Sequence, residues 1–230
     1  IMITDILQVA VDHPHVSEVG AIHQRPQGVQ PALNVLLAHG AGAPMESEFM
    51  GRTAEGLVDR GYGVMRFRYG YMERMSQEQR RFPPDRTPKL EEVHLAALHA
   101  LRKRTATDRI VLAGKSMGGR MSSHLAAAGE SCAGLLYLGY PLHPAGKPDK
   151  LRSEHFPKIR QRSLFVQGTR DALCDLDLLK RELAAYGAPF DLSIIAGGDH
   201  SFEVLKRSGR TPGEVQKELL DVMDGWLAKL

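Results

Sequence analysis

The stretch VLAGKSMGGR, residues 111–120, decides how this chain is read. Taken from Gly114-Lys115-Ser116, it looks like the close of a phosphate-binding loop. Taken from Gly114 to Gly118, it is G-x-S-x-G, a sharp turn that presents a serine between a strand and a helix. A phosphate loop needs G-x-x-x-x-G-K-[ST], with its first glycine five residues before the second. Arg109 stands at that place. The residues between are an apolar run, Ile110–Ala113, which reads as a strand and leaves no room for the loop. The serine turn has the context it requires: that strand before it, and a helical pattern over Met117–Ala128 after it. Gly114 and Gly118 keep side chains out of the place where strand and helix come closest.

Outward from this turn, short apolar runs alternate with helical patterns. Leu33–Ala38, Val64–Phe67, Ile110–Ala113, Leu135–Leu138, Leu164–Val166 and Leu192–Ile195 are continuous enough to be strands covered on both faces. Helices are expected over Phe49–Arg60, Leu90–Arg104, Met117–Ala128, Leu176–Tyr186 and Glu214–Leu230. The alternation predicts an α/β fold with a mostly parallel, doubly wound sheet and helices on both faces. Residues 1–32 read as a strand or hairpin leading in. With no repeat, linker or low-complexity segment, residues 1–230 are expected to form a single domain. Two stretches, Gly70–Lys89 and Gly139–Lys158, lack periodicity and read as loops. Both follow strands, so both are placed to border a site at the carboxyl edge of the sheet. The second is too short for a large lid domain, which predicts an open, shallow site.

An idle serine in a glycine-rich turn would look the same, so the partners matter. A serine hydroxyl becomes nucleophilic when a base takes its proton and an acid orients that base. On this architecture they follow in the order serine, acid, histidine. SLFVQGTRD places Asp171 just past a strand, and LSIIAGGDHSF places His200 just past the last one. Asp175 and Asp177 compete with Asp171, but they stand where the next helix begins. Among the other histidines, His94, His99 and His124 sit in helical patterns as packing or surface residues. His13, His15, His23 and His155 have no partner pattern. A tetrahedral intermediate would need two backbone N–H donors. Met117 supplies one, and the loop LLAHGAGAP supplies the other, with Ala41 first and Gly42 second. His39 is expected to brace that loop. Cys174 has no such turn of its own and is not a candidate nucleophile.

The motifs AHGAGAP, GKSMGGR, QGTRD and GGDHSF resemble the α/β-hydrolase superfamily over essentially the whole chain. The likeness is nearest to the dienelactone-hydrolase-like group. RFPPDRTPKL and GYPLHPAGKP further resemble predicted bacterial hydrolases related to testis-expressed protein 30 and to a histone-acetyltransferase-complex subunit. The resemblance implies Ser116, Asp171 and His200 as a catalytic triad. It leaves two functions open: a serine hydrolase acting on an ester, thioester or similar acyl bond, and a non-catalytic protein-interaction module on the same fold. Fold alone does not choose between them.

Composition excludes other classes. A net charge of +3 over 230 residues is too mild for a dedicated nucleic-acid binder. No apolar run reaches the roughly 20 residues of a membrane span. No signal peptide is expected, since Asp5 and Asp12 stand where a basic and then apolar leader would be. Two cysteines without CxxC spacing suggest neither a disulfide framework nor a zinc site, and suit a cytoplasmic location. No cofactor and no metal are expected. The sequence carries no reading of oligomeric state. The expected partner is a small-molecule acyl substrate. Residues 66–89 hold seven Arg or Lys against three acids, an excess of four. If those cations face the site, an anionic substrate is favoured.

Overall fold

The computed structural model describes residues 1–230. Eight strands form one sheet: β1 (Met2–Ala10), β2 (Glu18–Pro26), β3 (Asn34–Ala38), β4 (Gly63–Phe67), β5 (Ile110–Lys115), β6 (Gly134–Leu138), β7 (Ser163–Gly168) and β8 (Phe190–Ile195). Their spatial order is β1-β2-β4-β3-β5-β6-β7-β8. The first two strands are an antiparallel hairpin, with Met2 opposite Pro26, and β2 runs antiparallel to β4. Every other pairing is parallel. Five helices lie between the strands, α1 (Glu48–Val58), α2 (Gly70–Glu78), α3 (Thr87–Thr105), α4 (Met117–Ala127) and α5 (Leu176–Leu183), and a sixth, α6 (Pro212–Leu227), follows β8. This is the α/β-hydrolase fold, without a large lid domain.

The period-2 geometry of a strand divides the core into two layers. Along β5, Ile110 and Leu112 join a cluster that includes residues of α3, α4 and α5. Val111 and Ala113 point the other way, into a cluster with α1 and α6. The same alternation runs through β3 and β6, where Leu36 and Tyr137 face one layer and Leu37 and Leu136 the other. Apolar residues on both sides of a strand are what made these runs look continuous in sequence.

The chain differs from the sequence reading in one element. Residues 70–78 read as loop in the sequence and are helix α2 in the structure. Its buried residues, Tyr71, Met72 and Glu73, crowd the first turn, while Ser76 to Glu78 are exposed and polar. So short an apolar patch leaves no helical period to detect. Tertiary bonds hold the helix instead: the Glu73 carboxylate accepts the Gly20 N–H at 2.9 Å and pairs with Arg68 at 3.2 Å. Helix α3 begins at Thr87, earlier than the Leu90 expected from its apolar stripe. Pro88 fits its first turn, where the missing N–H has no helical partner to lose. No helix is long and apolar enough to cross a membrane.

Candidate active site

Ser116 sits between β5 and α4 with φ 52° and ψ −117°. A non-glycine residue there carries backbone strain of order 1–3 kcal/mol, which the surroundings must offset. The surroundings show how the turn is held. A Cβ on Gly114 would lie 2.3 Å from the Gly118 carbonyl carbon, and one on Gly118 would lie 2.4 Å from the Ala38 oxygen. Only glycines let β3, β5 and α4 close around the serine. The Ser116 N–H is tied to the Leu138 carbonyl at 3.0 Å.

The other two residues arrive from neighbouring strand ends. Gly168, at the end of β7, packs so closely that a Cβ would meet the Gly198 oxygen at 2.3 Å. That approach brings the loop after β7 against the loop after β8. Ser116, His200 and Asp171 meet in one line. The Ser116 hydroxyl lies 2.8 Å from His200 Nε2, and His200 Nδ1 lies 2.8 Å from Asp171 Oδ2. A carboxylate only accepts, so Nδ1 carries the proton and Nε2 is left to accept from the serine. The carboxylate is fully buried, whereas the His200 side chain is 26% exposed and reachable from solvent.

The Asp171 carboxylate accepts from three donors. Besides His200, Gln167 Nε2 donates to Oδ2 at 2.6 Å and the Leu173 N–H donates to Oδ1 at 2.8 Å. Gln167 is itself oriented by the Tyr140 N–H, which bonds its Oε1 at 2.9 Å. The competing acids lie elsewhere. Asp175 is the N-cap of α5 and accepts the Asp177 and Leu178 N–H groups. Asp177 lies in the first turn of that helix.

The AHGAGAP loop borders Ser116. His39 is fully buried, and its Nε2 accepts the Tyr69 N–H at 3.1 Å. Its Nδ1 is therefore the protonated nitrogen and donates to the Gly40 carbonyl at 2.7 Å. Burial lowers its pKa to about 4, so it braces the loop as a neutral ring. The Tyr71 hydroxyl donates to the Ala41 carbonyl at 3.1 Å, turning that peptide so its carbonyl is occupied. Neither the Ala41 nor the Met117 N–H bonds to another backbone group. Ala41, Ser116 and Met117 line one wall of a cavity of about 650 Å³. Pro84 to Pro88, Leu90, Pro141 and Arg152 also line it, so both stretches expected to border the site do so.

Residues 31–228 match the alpha/beta hydrolase domain model. The chain belongs to the alpha/beta hydrolase family. Among solved structures, a serine hydrolase homologue from Coxiella burnetii is similar with a TM-score of 0.74 at 19% identity, covering 96% of this chain and 95% of that one. A dienelactone hydrolase from Anabaena variabilis gives 0.73 at 21%, covering 98% of each. A cold-adapted esterase from an Arctic intertidal metagenomic library gives 0.71 at 18%, covering 97% of this chain and 94% of that one. At these identities the likeness is one of fold.

Two features of this alpha/beta hydrolase site escaped the sequence reading. Lys115, the residue before the nucleophile candidate, donates from Nζ to the His200 carbonyl. Its ammonium also lies 5.5 Å from the centre of the Phe202 ring. Burial pulls its pKa down to about 8, against the fields of Asp171 and Asp199. The second feature concerns the basic stretch. Of its seven cations only Arg86 lines the cavity. Arg66 is buried against Met45 and Gln24, and Arg68, Arg74 and Lys89 pair with nearby glutamates. The cavity's other cations, Arg120 and Arg152, come from parts of the chain that show no charge run. No group of three His, Cys, Asp or Glu side chains is placed to hold a metal ion.

Proposed function

We propose that this chain is a serine hydrolase that cleaves an ester, thioester or similar acyl bond of a small substrate through an acyl-enzyme. The observation that carries this reading is the unbroken line of hydrogen bonds from Ser116 through His200 to a buried Asp171. Ser116 is the nucleophile, His200 the base and Asp171 the acid that orients it. His200 Nε2 takes the hydroxyl proton as Ser116 Oγ bonds to the substrate carbonyl carbon. The carbonyl oxygen becomes an oxyanion, bound by the Met117 and Ala41 N–H groups. Met117 stands at the first turn of α4, where the helix dipole favours negative charge. The tetrahedral centre collapses, the bond to the leaving group breaks, and the imidazolium returns its proton to that group. Water repeats the sequence on the acyl-serine and releases the acid.

Strain separates this reading from an interaction module. A docking surface has no use for a serine at φ 52° with a base 2.8 Å from its hydroxyl. The likeness of RFPPDRTPKL and GYPLHPAGKP to predicted bacterial hydrolases related to testis-expressed protein 30 and to a histone-acetyltransferase-complex subunit is the narrower grouping proposed, and it does not choose between the two readings. Cys132 and Cys174 are both free thiols, in keeping with a reducing cytoplasm.

Turnover of a panel of short p-nitrophenyl esters and acyl thioesters tests the proposal. Hydrolysis by the wild-type chain should be lost in Ser116→Ala at unchanged folding. The panel also decides between ester and thioester. A well-folded wild-type chain that hydrolyses none of them would return the interaction module to the front.

A further inference from the structure

The arginines of this chain are unevenly partnered. Those on the outer surface commonly meet carboxylates, as Arg25 does with Asp5, Arg60 with Asp221 and Arg162 with Asp191. The three that line the cavity beside Ser116 do not. Arg86 is exposed at the start of α3, and Arg120 is partly buried one turn along α4 from the serine. Neither side chain has an ion pair or a hydrogen bond within the chain. Arg152, also partly buried, donates from Nη1 to the Pro141 carbonyl at 3.4 Å, a long bond to a neutral acceptor.

Asp85 is the one acid on the cavity wall, and it is already engaged. Its Oδ2 accepts the Tyr71 N–H at 2.8 Å and lies 3.1 Å from His13 Nε2. Burial first, and then the like charge of Arg120, lower the Arg152 guanidinium below its usual value. Two like charges facing one cavity repel each other, and neither is paired with an acid of the chain. Leu90, Pro141 and Leu173 stand beside them and thin the water that would screen an ion pair.

We propose that Arg120 and Arg152 form a subsite for a carboxylate of the substrate, with Arg86 steering anions at its mouth. This inference rests on Ser116 being the nucleophile and names the class of acyl compound it serves. A planar guanidinium fork matches a carboxylate in a bidentate way that an ammonium does not. Arg120 follows Ser116 by four residues, a rise of about 6 Å along a helix. The carboxylate therefore lies a short chain away from the scissile carbonyl. Substrates are compact acyl compounds with an anionic end, and long neutral acyl chains are excluded from this wall.

The test compares matched esters at low and high salt. One pair is the mono-p-nitrophenyl ester of glutaric acid against p-nitrophenyl valerate, with the charge on the acyl side. The other is 4-acetoxybenzoate against phenyl acetate, with the charge on the leaving group. The wild-type kcat/KM should favour the charged member of one pair by about tenfold or more, and salt should shrink the preference. Loss of a charge-assisted pair in Arg120→Met or Arg152→Met should cut that ratio by about tenfold or more, toward one, and Arg120→Lys should retain part of it. Succinate should also slow labelling of wild-type Ser116 by a fluorophosphonate, a measurement that needs no variant. Normal labelling with equal rates on both members of both pairs would overturn the subsite and leave the hydrolase reading standing. Absence of labelling would overturn the reading beneath it. Protection by inorganic phosphate but not by succinate would refute the carboxylate assignment.

Discussion

Gly118→Ala tests whether close backbone packing, and not the serine alone, makes the site. The added Cβ would stand 2.4 Å from the Ala38 oxygen, 2.7 Å from its carbonyl carbon and 2.7 Å from the His39 oxygen. All three are backbone atoms of β3 and the loop that carries Ala41, so no side chain can swing aside. Ordinary contact begins at 3.4 Å, so α4 and β3 must part by about 1 Å. Overpacking of this kind costs roughly 1–3 kcal/mol, and more where backbone must move. The same movement carries Ser116 away from His200 and the Met117 N–H away from that of Ala41. A misplacement of about 1 Å can lower an enzymatic rate by about 100-fold. The assay is paired: urea unfolding for stability, and the second-order rate of fluorophosphonate labelling for reactivity. Gly225→Ala is the control. It lies exposed within α6, where a Cβ meets nothing within 4 Å. Removing a helix glycine there should stabilise by up to about 1 kcal/mol with labelling unchanged. Gly118→Ala with the wild-type labelling rate and stability would refute the argument from packing.

Asp171→Asn should lower kcat by about 10²- to 10⁴-fold, because the imidazolium formed in the reaction loses its counter-charge. Asp175→Ala should instead cost about 1 kcal/mol of stability, the worth of a helix cap, and leave kcat near wild type. Thermal melts and kcat on the best ester separate the two, and the reverse pattern would move the acid to Asp175. Lys115→Met should loosen the His200 loop and reduce kcat about tenfold or more with little change in KM, since a misplaced base of this kind acts on the chemical step. The wild type should also lose activity above about pH 8, where Lys115 gives up its proton, and Lys115→Met should lack that limb. His39 and His94 are held neutral by burial, with pKa values lowered from 6.5 to about 4 and about 3. Folded values below the unfolded one mean that their stabilisation is complete above pH 6.5 and is lost as pH falls toward 4. Each contributes a slope of up to about 1.4 kcal/mol per pH unit in that window. Urea midpoints at pH 7 and pH 5 should therefore differ clearly, and equal midpoints would contradict neutral burial.

What the sequence shows plainly is what local pattern controls. Val111 and Leu112 point to opposite faces of β5, so a parallel strand reads as an unbroken apolar run. Gly114 and Gly118 mark a turn because no other residue fits the space. Asp171 and His200 could be placed at strand ends for the same reason: strand runs have visible limits. Residues fixed by tertiary contact were harder to see. Helix α2 depends on Glu73 meeting Gly20, 53 residues away, and has almost no apolar stripe. Gln167 reads as an ordinary residue of β7 until Tyr140 and Asp171 are seen on either side of it. Residues 66–89 carry a real excess of positive charge, but a count does not show where it points, since it ignores pairing. Four of those cations are bound to neighbours, and the cavity takes two arginines from elsewhere.

The proposed function stands or falls on whether Ser116 is a nucleophile activated by His200. Fluorophosphonate labelling followed by mass mapping of the adduct tests it most directly, because it requires no knowledge of the substrate. A single adduct is expected on the peptide containing Ser116, and none in Ser116→Ala or in a folded His200→Ala. An adduct on another serine, or no adduct on well-folded wild-type protein, would contradict it.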